Sequence, residues 1–588
     1  MTTAYLEPEV TSKHKSYQKA DGPIPDKSWT WNMYGPGVEN IGRDNQPEPF
    51  EIPEPNADQL LVRIDAVGLC FSDVKLIKQG GSHPKLYNRD LAKEPTRLGH
   101  EAALTIIKVG DNLKGQFHPG ERYAMQPDIY QQGKSTAYGY TVPGGLTQYH
   151  LIGPEVLVTD AGSCLLKTSG DLGLAEAALL EPWGCVWASY TQRRRLEPKP
   201  GGMMWIIGQP DDQQEYAFSK GLDAPETFVL TNVPSQLKQL IAQTGRKIII
   251  KDNLAIEDYE AMVKDLTNGR GFDDIVLLAP HSVVQTGEIA KHIARRGTMN
   301  MVGKKPLKGL VQADVGRLHY DYIAFIGNPG PDISDSYGDS HNRCDLIPNG
   351  TAVFVGAGGP MGQMHVQRAI ELPTGPRRVF VSDVNEQRLA ELEKRFAPLA
   401  KTNNCELLIF NPNKANLSFH DFVISANDGK GADDVVVCVP IAGVMEEAAT
   451  LMNPDGMLVL FAGVPNGTLA DLNLNNVFQH NAQYTGTSGL TIDDQAQVME
   501  SALQGSIAPA RSVAAIGGMK VAKEGIKAMM ESRYPGKILI FPQLIDLPLI
   551  GLDELKDKIP EVGNKLAAGN TWTKEAEEAL IEHYWETS

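Results

Sequence analysis

The sequence predicts an α/β chain in which a β-rich domain is followed by two tandem, doubly wound parallel-sheet domains. Three observations carry that prediction. Short β-type runs such as residues 60–68 and 102–109, separated by Gly/Pro turns, fill the stretch from Trp29 to about Asp160. Two later segments look like copies of one another. Gly269-Arg-Gly-Phe-Asp-Asp274 parallels Gly429-Lys-Gly-Ala-Asp-Asp434, and Gly303 keeps the same offset of 160 from Gly463. Within each copy, strand, turn, helix and strand recur, which is how βα units build a parallel sheet.

Composition bounds the function classes. A length of 588 residues suits about four compact units, or fewer larger ones. Hydrophobic residues at 42% and charged residues at 22% are ordinary for a folded globular chain. The net charge is −17, and no Lys/Arg-rich block interrupts it, so nucleic acid is not an expected partner. The longest apolar run, residues 435–445, is well short of the roughly 18 that a membrane helix needs. The first residues lack the basic start and apolar core of a secretion signal, so the cytoplasm is the expected compartment. Six cysteines stand far apart, which excludes C-x-x-C zinc knuckles; a cysteine with a role works with ligands of other types.

Along the chain, residues 1–27 are polar and aperiodic and read as an arm. The β-rich domain takes 28–198 and closes on a helical stretch around Glu181-Pro182, before the break at Pro198-Lys-Pro-Gly-Gly202. The first copy takes 199–345 and the second 346–500. Residues 501–542 return to the β-rich domain with a last strand near 535–542, and 543–588 form a charged, mostly helical tail.

The second copy opens Val353-Phe-Val-Gly356-Ala-Gly358-Gly359-Pro-Met361-Gly362, a strand running straight into glycines and a helix beginning near Met361. Glycines there let the backbone turn sharply and approach a pyrophosphate, whose charge meets the free N–H groups of the helix N-terminus. Asp383 ends the next strand 21 residues after Gly362, close to the ~20 expected of an acid that binds the ribose 2′-hydroxyl. It would repel a 2′-phosphate, so NAD is expected over NADP. The binding set is Gly356, Gly358, Gly359, Met361, Gly362 and Asp383, with the register open between Gly356 and Ala357 as first position. A glycine turn that serves helix packing alone is the plainer alternative. In the first copy, Ile207-Gly208-Gln-Pro-Asp211-Asp212 sets two carboxylates where the pyrophosphate would sit, and residues 227–232 offer no acid for a ribose. That copy is expected to keep the scaffold and to have lost the cofactor.

The β-rich domain contains Gly68-Leu-Cys70-Phe-Ser72-Asp73 and then Leu98-Gly99-His100-Glu101. Thiolate, imidazole and carboxylate are ligand types for a tetrahedral zinc with one position open to water or substrate. Singly, each has a plainer reading: a buried Cys is more often a small hydrophobe, and a lone His-Glu more often structural. Their conjunction points to a metal.

Together with Leu180-Glu181-Pro182-Trp-Gly-Cys185, these stretches resemble the zinc-dependent medium-chain dehydrogenase/reductase superfamily, in its polyol (sorbitol) dehydrogenase and sugar-phosphate reductase branch. The resemblance spans about residues 29–542, with the extra nucleotide-domain copy as an insertion. It implies a GroES-like catalytic domain and Rossmann-like nucleotide domains. It also implies one catalytic Zn2+ held by Cys70 and His100, with Glu101 a direct or exchanging ligand and Glu181 a ligand directly or through water. Ser72 would relay the substrate proton, Asp73 would orient His100, and the glycines with Asp383 would hold NAD.

Three departures from the family pattern matter. Residues 121–140 contain no cysteine, so a second, structural zinc is not expected. Lys75 stands where alcohol dehydrogenases often have a His that completes the proton relay, which leaves the proton's exit open. The degraded copy is the one joined directly to the β-rich domain, and spacing leaves open which copy faces the ion. Between Cys70 and His100 lie His83, Lys85, Arg89, Lys93 and Arg97; they read as a solvated loop ahead of a substrate-phosphate site.

The expected chemistry is hydride transfer between NAD and a secondary alcohol or ketone of a polyol, sugar or sugar phosphate, in a homo-oligomeric enzyme. Two other classes stand beside it. One is a non-redox scaffold with a structural nucleotide. The other is a zinc enzyme that uses tightly held NAD for transient oxidation, as a lyase or epimerase does.

Overall fold

The computed structural model describes residues 12–20, 22–191 and 193–586, and the chain divides into two compact units, residues 1–187 with 489–588 and residues 188–488. The first unit begins with helix α1 (Lys13–Lys19), which buries Tyr17; its hydroxyl donates to Asp65 at 2.8 Å. Residues 13–19 are therefore anchored, whereas residues 1–11 of the expected arm lie outside the described part. Strand β1 (Leu60–Gly68) is buried along its whole length, helix α2 (Phe71–Gln79) follows it, and β2 (Glu101–Val109) returns antiparallel. Strands β3 (Arg122–Met125), β4 (Tyr149–Ile152) and β5 (Leu165–Lys167) extend the sheet. Helix α3 (Leu174–Ala188) is strongly apolar, and Leu179, Leu180, Trp183 and Val186 are fully buried.

The second unit contains both copies. In the first, strands β6 (Met203–Ile207), β7 (Thr227–Thr231), β8 (Lys247–Ile250), β9 (Phe272–Leu278) and β10 (Ile293–Val302) come in chain order, then a short β11 (Val311–Asp314), helix α4 (Val315–Tyr320) and β12 (Ala324–Asn328). The six parallel strands are ordered β8-β7-β6-β9-β10-β12. The second copy repeats this with β13 (Thr351–Val355), helix α5 (Pro360–Glu371), β14 (Arg378–Ser382), β15 (Glu406–Phe410), β16 (Ala432–Val437) and β17 (Met452–Leu460). Its short β18 (Leu469–Leu472), helix α6 (Asn475–His480) and β19 (Gln483–Gly486) complete the order β15-β14-β13-β16-β17-β19. Both sheets are doubly wound, with the switch of strand order between the first and fourth strands.

The repeated Asp-Asp pair has a structural cause. In the first copy, Asp273 accepts from the Met203 N–H and Asp274 from the Lys199 N–H, with Arg195 on Asp274. In the second, Asp433 accepts from the Thr351 N–H and Asp434 from the Ile347 N–H, with Arg343 on Asp434. Each pair clamps the entry into its copy's first strand by charge-assisted hydrogen bonds.

The copies differ after that strand. No helix follows β6: the Asp212 carboxylate accepts from the Gln214 N–H and the Tyr216 hydroxyl, a local turn that competes with helix formation. Tyr216 and Phe218 are instead drawn into the hydrophobic cluster of that face. The carboxyl ends of the strands are covered from within the copy. Gln209 donates to the Leu278 carbonyl, Ala217 bridges to Asp332, and Asn300 donates to the Ile333 carbonyl.

The chain re-enters the first unit at Gly489, ahead of the 501 expected, because Thr491 already caps a helix over Ile492–Leu503 whose Gln495 donates to the Met125 carbonyl. Strands β20 (Val513–Gly518), β21 (Lys537–Phe541) and β22 (Ile550–Gly551) complete an eight-stranded sheet ordered β5-β3-β2-β1-β21-β20-β22, with β4 also on β1. The tail belongs to the fold. Its last helix, α7 (Lys574–Tyr584), buries Glu577, whose carboxylate accepts from the Leu174 and Ala175 N–H groups at 2.6 and 2.9 Å. Those are the orphan donors at the start of α3, so the tail caps the helix that carries Glu181.

Candidate metal centre and dinucleotide turn

The metal candidates come from the ends of adjacent elements in the first unit. Cys70 is the N-cap of α2; its sulfur accepts from the Asp73 N–H, and Asp73 reaches back to the Cys70 N–H at 3.2 Å. His100 follows Gly99, whose φ of +92° belongs to the left-handed region that glycine alone adopts freely. Glu101 opens β2 directly opposite Gly68 on β1. A Cβ at position 68 would stand 2.0 Å from Glu101 Oε2, so that glycine leaves the space in which the carboxylate lies.

These placements bring one ligand atom each from Cys70, His100 and Glu101 within 4.8 Å of one another. Asp73 Oδ1 holds His100 Nδ1 at 3.2 Å, which turns Nε2 towards the shared space, with Ser72 Oγ 3.2 Å from it. Burial alone would lower the His100 pKa, but the charge and hydrogen bond of Asp73, with Cys70, raise it well above its usual value. A cation at Nε2 would displace that proton. Glu101 is wholly buried, and its Oε2 has no hydrogen-bond partner. A buried carboxylate oxygen without a partner, beside a thiol and a pre-oriented imidazole, fits a zinc ion.

Glu181 lies outside that triad but in its field. Burial pushes its carboxyl up to about 7, with His100 and Lys537 pulling it down and Glu101 pushing it up. It is presented from α3 beside Cys185, whose sulfur is 3.8 Å from its Oε1.

Two residues of this site escaped the sequence reading. Lys537, at the start of β21, is paired with Glu101 in the interior, and its Nζ also donates to the Leu69 carbonyl at 3.0 Å. Burial works against the ammonium, but Glu101 and Cys70 more than offset it, and its pKa is raised. The Tyr140 ring lies tilted beside that of His100, with ring centroids 5.8 Å apart. Neither lies in a recognisable motif; 436 residues separate Lys537 from Glu101. The basic loop is largely engaged by its own domain. Lys85 bonds Ser135 Oγ at 2.6 Å, Arg89 the Thr141 carbonyl, and the half-buried Arg97 the Gly144 carbonyl and His150.

The candidate dinucleotide turn of the second unit has one register in which its glycines pack. Gly356 ends the strand with φ +73°, Gly359 is the N-cap of α5 with open space where a Cβ would be, and Pro360 takes the first helical position. A Cβ on Gly362 would stand 2.5 Å from the Ala357 Cα, so Gly362 is the glycine of close helix–strand packing and Ala357 the first position. Met361 is in the first turn of α5. Asp383 Oδ2 accepts from the Gly358 N–H and Oδ1 from the Asn385 N–H, both at 2.9 Å, which places the acid at the rim of the turn.

Among known proteins, the alcohol dehydrogenase GroES-like domain model matches residues 56–161. Mannitol-1-phosphate 5-dehydrogenase of Aliivibrio fischeri is 26% identical over 558 residues, covering 92% of this chain and 96% of that protein. L-sorbose 1-phosphate reductase of Klebsiella pneumoniae is 27% identical over 311 residues, 50% of this chain and 74% of that protein. Among solved structures, 2R,3R-butanediol dehydrogenase of Bacillus subtilis aligns over 88% of this chain and 99% of its own at 13% identity and a TM-score of 0.49. The sequence similarity to proteins named as polyol and sugar-phosphate dehydrogenases extends beyond the motifs. No described helix is long and apolar enough to cross a membrane.

Proposed function

We propose that this chain is a zinc-dependent oxidoreductase that transfers hydride between NAD(H) and a secondary alcohol or ketone of a polyol or sugar, with phosphorylated substrates foremost. The observation that carries the reading is the convergence of Cys70, His100 and Glu101 on one buried space with Asp73 behind the imidazole. Phosphorylated substrates are favoured because relatives at 26% and 27% identity are named for mannitol 1-phosphate and L-sorbose 1-phosphate. When bound, zinc supplies Lewis acidity towards the substrate oxygen, and NAD supplies a hydride acceptor.

The remaining work belongs to the side chains. Cys70 and His100 hold the metal, with Glu101 and Glu181 as direct, exchanging or water-bridged partners. Asp73 fixes the His100 tautomer by accepting from Nδ1–H. Ser72 relays the proton of the substrate hydroxyl: its Oγ accepts that proton as its own leaves to bulk water. Gly358, Gly359 and the N-terminus of α5, with Met361 in its first turn, receive the pyrophosphate, and Gly356 and Gly362 shape that turn. Asp383 accepts from the ribose hydroxyls, which favours NAD over NADP.

Metal analysis of the purified chain, combined with a screen of polyols and sugar phosphates for NADH formation, tests this. About one zinc per chain and substrate-dependent NADH are expected. A metal-free protein that forms no NADH refutes the reading, and sugar turnover without net NADH release moves it to the lyase or epimerase class.

A further inference from the structure

The two copies meet across an interface with the symmetry of an isologous pair. β11 and β18 run antiparallel, with Val311 opposite Leu472 and Asp314 opposite Leu469, so the first residue of each strand faces the last of the other. The exchange continues beyond the strands. Phe478 of α6 packs against Gly327 of β12, its Cβ 2.5 Å from where a glycine Cβ would stand. His319 of α4 packs against Gly486 of β19 through its backbone, with its Cα 2.9 Å from that glycine's Cβ position, as the Phe478 Cα is 2.8 Å from that of Gly327. The two glycines, and the two ring residues, are each 159 positions apart, so one contact is made twice. Identical subunits pair through such self-complementary surfaces. Here one chain supplies both halves, and any association of like chains must use other faces.

The halves are not equivalent at the strand ends. α4 of the first copy lies at the carboxyl ends of β17 and β19 of the second. His319 Nδ1 is 3.0 Å from the carbonyl of Leu460, the last residue of β17, and the Tyr320 hydroxyl and His319 ring crowd Gly463, at 2.6 and 2.7 Å from its Cβ position. A dinucleotide lies across these ends. Asp383 marks the ribose half on the β14 side, so β16, β17 and β19 flank the nicotinamide half. Tyr320 remains 37% exposed there. At the mirror position, Gln479 donates to the Lys304 carbonyl of the first copy, whose own strand ends are covered.

We propose that the first copy, having lost its own nucleotide turn, is kept because its α4 walls the nicotinamide half of the second copy's cleft, with Tyr320 as a positioning residue. This rests on the reading of the second copy as the NAD site. The test uses the full chain and compares Tyr320→Ala with the mirror variant Gln479→Ala. NADH is titrated by fluorescence, and ADP-ribose, which lacks the nicotinamide, by calorimetry. Tyr320→Ala is expected to weaken NADH at least about threefold, the scale of one lost aromatic contact, and to bind ADP-ribose as the wild type does. Tyr320→Phe, which keeps the ring, and Gln479→Ala are expected to bind both as the wild type does. Wild-type NADH affinity in Tyr320→Ala, or equal losses for NADH and ADP-ribose, overturns the proposal and leaves the NAD reading standing. A wild-type chain that binds neither probe overturns the NAD reading, and this inference with it. Should Tyr320→Ala not fold, Tyr320→Leu, which keeps much of the buried volume, takes its place under the same criteria.

Discussion

Replacing Lys537 by Met isolates what the ammonium does for Glu101. The two side chains are 3% and 0% exposed, so the substitution leaves a carboxylate buried without its counter-charge. Breaking one side of such a pair costs about 3–5 kcal/mol, and the Leu69 carbonyl loses a donor as well. A divalent ion held by Cys70, His100 and Glu101 would restore the positive charge, so the loss should shrink by about 2 kcal/mol in zinc-loaded protein. By linkage, the same difference must appear in metal affinity, and about 1.4 kcal/mol is tenfold. Lys537→Met is therefore expected to bind zinc about thirtyfold more tightly while its zinc-free form is less stable. Competition with a chromophoric chelator reads the affinity, and urea unfolding with and without zinc reads the stability. Unchanged or weaker zinc binding, or equal destabilisation in both forms, would show that Lys537 and the ion do not share Glu101.

Cys70→Ser is expected to lose stoichiometric zinc and at least about a hundredfold in turnover, by metal analysis and initial rates; unchanged turnover counts against the metal role. Asp73→Asn should weaken zinc binding by about 10–100-fold by the same chelator competition, since a neutral amide offers one acceptor oxygen where the carboxylate serves both the His100 imidazole and the Cys70 N–H. Asp383→Ala is expected to narrow the preference for NAD over NADP about tenfold or more in parallel kinetic titrations, because the carboxylate that repels a 2′-phosphate is gone. Burial holds the Glu577 carboxyl at about 7 in the fold against 4.5, so the folded state binds the extra proton between those values. Stability from this group is then present below about pH 4.5 and lost as pH rises through 7, roughly 3 kcal/mol in all. Glu577→Gln should remove that share of the slope when urea midpoints are compared at about pH 5 and about pH 8.

What the sequence determined by itself is what near neighbours along the chain control. Short β-type runs between Gly/Pro turns marked the strands of the β-rich sheet. The strand–glycine–helix junction at 353–362 was legible as a candidate nucleotide turn, because the turn, the cap and the helix start are set within ten residues. Cys70, Ser72 and Asp73 share one helix start, and Gly99-His100-Glu101 one strand start, so both halves of the metal candidate were readable as motifs. The Asp-Asp pairs were visible as a repeat, although their work as clamps was not.

Tertiary structure decided what depends on residues remote in sequence. Burial along the whole of β1 follows from its central place between β2 and β21. Pairing of Lys537 with Glu101, the approach of Tyr140 to His100, the capping of α3 by Glu577 and the reciprocal packing of α4 and α6 each join elements far apart in the chain. Strand order sets those approaches, and each residue taken singly looks like an ordinary Lys, Tyr, Glu or short helix. The missing helix after β6 belongs here too: two acids and a proline weaken it locally, and burial of Tyr216 and Phe218 in the cluster with Met204, Ile206 and Phe228 holds the segment in another shape.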